Sequence, residues 1–402
     1  MRCLIYFEWR KSFRRLAVLV LLMLFTAADI AKIYSVYQEN SYLAMDESWH
    51  TAFWDLYDTY AGEMDTDKIN SLLALYRPLE EQTADLTATT ANGIEGTLTG
   101  NIWSDKNLLD RYYIKPMQYC YTYQNLAAQV YLKANENVNL YTALNNSYEA
   151  SKNGRIAALY SGRRIRDFRY TEGWQYYMYY DFSTVLSLLL CLYGLSQVFP
   201  RERESRMDKL LPTAKNGSGR TVAGKLIAST LYIVGISLWF SALDYFSFSA
   251  IFNLWDGAAL PIYAVKNLAY ASAELTIWQY AAVTALSRAL GIWTVSMAIL
   301  LVSVFCRHAL LPIAAGAISV IVLSLTGAKW NYSSHTWLAA LNPYSLMEGR
   351  LLYGRTEFVN FFGIPVLSWE AAVPCALIGG LCFVLAIFHF ACRSNRKRGR
   401  HP

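Results

Sequence analysis

The chain has 402 residues, of which 54% are apolar and only 16% are charged. Soluble domains carry about 25% charge, so an ordinary soluble enzyme of this length could not cover its apolar surface, and a disordered chain is excluded too. The net charge of +6 would suggest nucleic acid only if the basic residues formed one soluble patch.

Residues 1–15 read as a cytoplasmic amphipathic helix. Ile5, Trp9, Phe13 and Leu16 recur at helical spacing on one side, and Arg10, Lys11, Arg14 and Arg15 fall on the other. A basic helix of this kind lies in the headgroup plane of a membrane. Residues 16–35 are long and apolar enough for a first span. Asp29 and Lys32 interrupt it, three residues apart, and are expected to pair on one face near the outer end. The start 1–35 also has the basic and apolar regions of a signal peptide. However, acidic and aromatic residues follow instead of a small-x-small cleavage site, so the reading is a retained span.

Residues 36–178 are read as a large, mainly helical extracellular domain. Thr66 and Asp67 cap a helix expected from 68, with Ile69, Leu72, Leu73 and Tyr76 at i, i+3, i+4 and i+7. Similar patterns run over 42–63, 104–135 and 140–160, with glycine turns near 93–100 and 162. Trp174, Tyr176, Tyr177, Tyr179 and Tyr180 crowd the entrance to the next span and read as headgroup anchors. That second span is 182–199. A cytoplasmic loop, 200–225, follows. Residues 226–392 then supply spans at about 226–246, 289–306, 309–327 and 372–392, with outward-facing interfacial or partly re-entrant pieces at 247–280 and 328–371. A basic tail, 393–402, ends the chain. The fold class expected is thus an all-α polytopic membrane protein with six transmembrane helices and both termini inside. Small residues in the last two spans (Ala315, Gly316, Ser319, Ala376, Gly379 and Gly380) permit close helix contacts.

Lys and Arg set the orientation. Half of the chain's 36 lie in residues 1–15, 200–225, 306–309 and the tail, the segments that six crossings place on one side. The stretch 34–178 holds 12 basic and 18 acidic residues and belongs on the other side. The positive balance therefore faces a cytoplasmic leaflet, and nucleic acid is not needed as a partner. The protein is expected to be a multi-pass protein of a bacterial plasma membrane.

Little in the sequence carries chemistry. The seven Cys lie in or beside apolar segments, apart from Cys120, and read as packing residues without disulfides. No two of the five His share metal-ligand spacing, and no cofactor is expected. Gly219 to Lys225 imitates a phosphate loop. Leu226 replaces the hydroxyl residue that would hold magnesium, so Lys225 reads as a basic anchor at the mouth of the third span. The acidic residues of the spans are Asp29, Asp181 and Asp244, two of them at outer boundaries. An ion-driven carrier keeps ionisable groups inside its bundle. The sequence shows no such set, which implies that energy for any transport is supplied elsewhere.

The loop FPRERESRMDKLLPTAKNGSGRTVAGK, residues 199–225, is the most informative stretch. A short helix over 201–211 would carry Met207, Leu210 and Leu211 on a small apolar edge beside Glu202, Arg203, Glu204 and Arg206. Such a helix suits a groove on another protein. The loop resembles that of the membrane subunits of ATP-binding-cassette exporters of the type-2 permease class. That pattern is a Phe, a Glu three residues on, a Leu-Leu pair, a Thr, then Gly-Arg and a Lys that opens the next span. Here these are Phe199, Glu202, Leu210, Leu211, Thr213, Gly219, Arg220 and Lys225. Glu204 competes with Glu202 for the glutamate position, and Arg206 stands where the family often has Gly.

The resemblance implies a permease half that pairs with a second permease, as a homodimer or heterodimer, and hydrolyses no ATP itself. Its loop would dock into a separate ATPase subunit, with Glu202 and Glu204 meeting basic groups there and Leu210 and Leu211 filling an apolar groove. The cargo would be a peptide, a drug or a lipid-like molecule. Two readings from other classes stay open: a membrane sensor or immunity protein that binds a peptide or envelope component through 36–178, and a membrane-embedded enzyme or lipid transferase.

Overall fold

The structure is a computed structural model that describes residues 1–85, 98–205, 207, 219–330 and 336–398. They are mainly helical and divide into two compact units. One comprises Met1–Ile30, Tyr179–Phe246 and Ala281–Pro402; the other comprises Ala31–Met178 and Ser247–Tyr280.

Among the described residues, five helices are long and apolar enough to cross a membrane: Leu16–Asn40, Glu172–Glu204, Gly219–Ile251, Ile277–Phe305 and Ser368–Arg393. In place of the span expected at 309–327 there is a shorter apolar stretch, Leu310–Thr326, which is not among these five. The helix expected from 289 begins at Ile277, which brings Arg288 well inside it. The second of the five is interrupted after Met178 and resumes at Phe182, leaving Tyr179, Tyr180 and Asp181 in the break.

In the first unit the amphipathic helix Arg2–Ser12 packs its Ile5 and Trp9 against the buried core, and Phe13 follows them in. The Phe13 and Tyr232 rings stack with centroids 4.1 Å apart. Tyr232 in turn lies over Gly194, where any Cβ would sit 2.7 Å from the ring, and its hydroxyl donates to the Leu190 carbonyl at 2.9 Å. Leu16, expected on this inward side, is 79% exposed, because the helix ends before it and the next one begins there. Gly316 faces Leu192 and Ile299, and Gly380 faces the Trp293 ring, each too closely for a side chain. Overfilling such contacts costs about 1–3 kcal/mol.

The piece expected at 328–371 is not wholly helical. Phe358–Phe361 and Ile364–Leu367 pair as an antiparallel hairpin. Its two-residue turn places Phe362 and Gly363 at positive φ (50° and 88°), the geometry of a type I′ turn.

The second unit contains Glu47–Tyr60, Thr66–Asp85, Ile102–Leu109, Lys115–Ala143 and Ser147–Tyr160. The helix expected from 68 starts at Thr66. Asp46 caps Glu47–Tyr60, accepting from the Ser48 and Trp49 amides at 2.9 and 3.4 Å. A π-helical turn, Asp110–Ile114, precedes Pro116. The proline ring clashes with the carbonyl four residues back and brings no N–H of its own, so the turn widens, and the Lys115 amide reaches Asp110.

The core of this unit is aromatic: Phe53, Tyr113, Phe168 and Trp174 are all nearly inaccessible. Residues 247–280, expected as an interfacial piece, fold into the same unit. Tyr119 and Tyr123 donate to the carbonyls of Tyr263 and Ala269 at 2.7 and 3.0 Å. Arg163 is buried over the rings of Tyr160 and Tyr263 and donates to the Ala271 carbonyl. Trp174 is therefore a core residue and not a headgroup anchor.

Candidate functional site

Two clusters of buried charged groups stand out among the described residues of the first unit. The first is built on the short helix Pro200–Glu204, which a proline opens at its first position. Glu202 on this helix is 6% exposed. One carboxylate oxygen pairs with Lys11 of the amphipathic helix and the other with Lys225 near the start of Gly219–Ile251. Lys225 is 2% exposed, lies 4.9 Å over the Phe199 ring and reaches the Val198 carbonyl at 3.5 Å. Glu8 is 3% exposed and lies 4.0 Å from Lys11. Burial pushes the Glu8 carboxyl above its ordinary value, against the pull of Lys225 and Lys11. Two acids and two bases thus close into one set, of which Glu8, Glu202 and Lys225 are buried and Lys11 is partly exposed.

Two arginines extend this network. Arg15 donates to Gln197 and to the Lys11 carbonyl. Arg203 donates to the Cys306 carbonyl at 2.6 Å and to that of Val304, at the C-terminal end of Ile277–Phe305. Carbonyls there have no helical partner and favour a cation. The amphipathic helix, the loop helix and the ends of two long helices are joined by side-chain bonds.

These positions alter the residue roles read from sequence. Lys225 is not an exposed basic anchor, because Glu202 holds it inside. Glu202 does not present a free carboxylate to a partner, since both of its oxygens are taken within the chain. Glu204 is 47% exposed on its side chain, with the His308 ring nitrogen 3.7 Å away. Arg10, Arg14 and Arg220 are exposed, whereas Lys11 and Arg15 turn partly inward. Gly219 opens its helix. Leu210, Leu211 and Thr213 lie outside the described residues. Glu8 was legible only as an acid three residues before Lys11.

The second cluster overturns the expectation that the long helices hold no ionisable set. Asp29 is fully buried and takes its bond from the Tyr180 hydroxyl at 2.7 Å, while Lys32 is exposed, so the expected Asp29–Lys32 pair does not form. Asp244 is 1% exposed. It accepts from Ser183 at 2.6 Å and from Arg288 at 2.8 Å, both on the same oxygen. Arg288 also reaches the Ser183 hydroxyl, at 3.1 Å. Tyr180 is thus a bonding partner within the bundle rather than a lipid anchor. Next to this set, Arg350 pairs with Asp181 at 3.3 Å and with Glu348 at 3.4 Å, over the Tyr179 ring. The signal missed was a lone arginine: with the fourth span begun at 289, Arg288 fell outside it.

The second unit has an open cleft of about 500 Å³ lined by Arg164, Arg166, Arg169, Asp256 and Glu274. Its three arginines face three acids, Asp167 among them, so it selects no one sign of charge.

The chain matches no protein-family model and no curated protein.

Proposed function

We propose that this chain is the membrane-spanning permease subunit of an ATP-binding-cassette exporter, working as a dimer with a separate ATPase. The carrying observation is the first cluster. A short loop helix between two long apolar helices is fastened through Glu202 to Lys11 and Lys225, and through Arg203 to the end of Ile277–Phe305. A push on that loop would reach several long helices through ion pairs and capping bonds rather than through a slack tether. In this reading Glu202 transmits force inside the permease. Glu204, exposed one turn-half further on, is the carboxylate left to meet basic groups on the ATPase.

The finer topology belongs to the same proposal: Leu310–Trp330 as a sixth crossing, both termini inside, and 36–178 exposed on the outer side of a bacterial plasma membrane. The basic clustering in 1–15 and 200–225 supports it. The cargo class stays a peptide, drug or lipid-like molecule. A second reading, a sensor that binds a ligand outside, is favoured only by the cleft at Arg164, Arg166 and Arg169.

The test is purification of the full chain in mild detergent, with identification of any nucleotide-hydrolysing subunit that accompanies it. ATP turnover is then measured with and without the Glu204→Ala change. The expected result is a co-purifying ATPase whose turnover responds to the permease and loses that response in the variant. A folded chain that binds no such subunit, yet binds a ligand tightly by itself, would establish the sensor reading instead.

A further inference from the structure

The second cluster does not balance as the first one does. It holds two carboxyl groups, Asp29 and Asp244, against one guanidinium, Arg288, and both acids are almost completely withdrawn from water. Each carboxyl has one oxygen satisfied: Asp29 Oδ1 by Tyr180, and Asp244 Oδ2 by Ser183 and Arg288. The other two oxygens, Asp29 Oδ2 and Asp244 Oδ1, are buried and receive no hydrogen bond among the described residues. The two side chains lie within hydrogen-bonding reach of each other. An ionised carboxylate only accepts, so two ionised groups would leave two acceptors facing each other without a donor. They would also leave one uncompensated charge in a dry interior.

We propose that Asp29 and Asp244 share one proton between Asp29 Oδ2 and Asp244 Oδ1, which makes the cluster a proton-binding site buried among the long helices. One proton supplies the missing donor and brings the set to neutrality against Arg288. The environment also says where it resides. Asp244 is held by a cation and a hydroxyl and stays ionised, whereas Asp29 meets only the neutral Tyr180 hydroxyl and carries the proton. Paired carboxyls that face each other titrate as one such unit.

The other charged groups nearby do not supply the balance. Asp181, Glu348 and Arg350 form their own set, and their side chains are 30%, 15% and 26% exposed rather than buried. Loss of the shared proton would set two like charges face to face between the Asp29 and Asp244 segments, so alkaline pH would loosen that contact. This inference stands apart from the transporter reading and needs no partner subunit.

The experiment is infrared spectroscopy of the full chain in detergent across a pH series, following the carbonyl stretch that a protonated carboxylic acid has and a carboxylate lacks. The expected result is a band that persists at neutral pH, shifts in heavy water, and is lost in both Asp29→Asn and Asp244→Asn. Asp29→Asn mimics the protonated acid. It should therefore keep the wild-type melting temperature at neutral pH and exceed it at alkaline pH. Absence of the band from wild-type protein at neutral pH would overturn the proposal, as would its survival in both variants. A melting temperature that rises with sodium at fixed pH, and not with protons, would also overturn it by assigning the two oxygens to a metal cation. If Asp29→Asn does not fold, the wild-type band and its loss in Asp244→Asn decide the matter.

Discussion

Two buried charge clusters in one unit follow opposite rules. Around Glu202, two acids meet two bases, and every charge has an opposite within the chain. Around Asp244, two acids meet one base, and two buried oxygens have no donor among the described residues. A closed set locks elements together and is costly to open, because taking away one member leaves a charge stranded in low dielectric. An open set depends on something mobile to complete it. The first suits fixed mechanical linkage between loop and helices; the second suits a site whose state changes with its surroundings.

The sharpest test of that contrast applies the same acid-to-amide change to both. Glu202→Gln should destabilise the chain by about 3–5 kcal/mol, the range for breaking a buried pair, seen as an earlier thermal transition in detergent. It strands a positive charge, so lowering the pH should not restore it. An equal loss in Asp29→Asn would erase the distinction between the clusters. Arg288→Met comes next, with a loss of about 3 kcal/mol at neutral pH. This loss should shrink on acidification, since protons can neutralise the two carboxyls left behind. A loss that is the same at every pH would show that Arg288 acts only through packing.

A smaller effect concerns Glu8. Burial raises its carboxyl above the ordinary 4.5, so the folded state holds this proton more tightly than the unfolded chain does. Its contribution to stability is therefore largest in acid and falls as pH rises from 4.5 through the raised value. Glu8→Gln should flatten that slope in a melting-temperature series. A steeper slope in the variant would count against the sign. The smallest effect is expected at Glu204. Exposed and 3.7 Å from His308, it should change stability by less than about 0.5 kcal/mol on Glu204→Ala, while altering the response of a partner ATPase. A large stability loss there would transfer it to the internal network.

The amino-acid order by itself determined that long apolar helices dominate the chain and that basic residues concentrate at their connections, because length, hydropathy and charge placement are local properties. It placed helices in 36–178 for the same reason, but it ended the one at 104–135 eight residues before Ala143 and began the next seven residues before Ser147. It also marked Phe199, Glu202 and Lys225 as members of one motif. What it could not give was which charge meets which. Lys11 and Glu202 stand far apart in sequence, and only packing of the amphipathic helix against Tyr232 brings them together. Asp29 has Lys32 beside it on the helix, yet its partner is Tyr180, because helix rotation turns the aspartate inward and the lysine out. Burial decides the chemistry of a charged group, and burial is a property of the assembled bundle. The tertiary structure alone therefore separated the cluster that is complete from the one that calls for a proton.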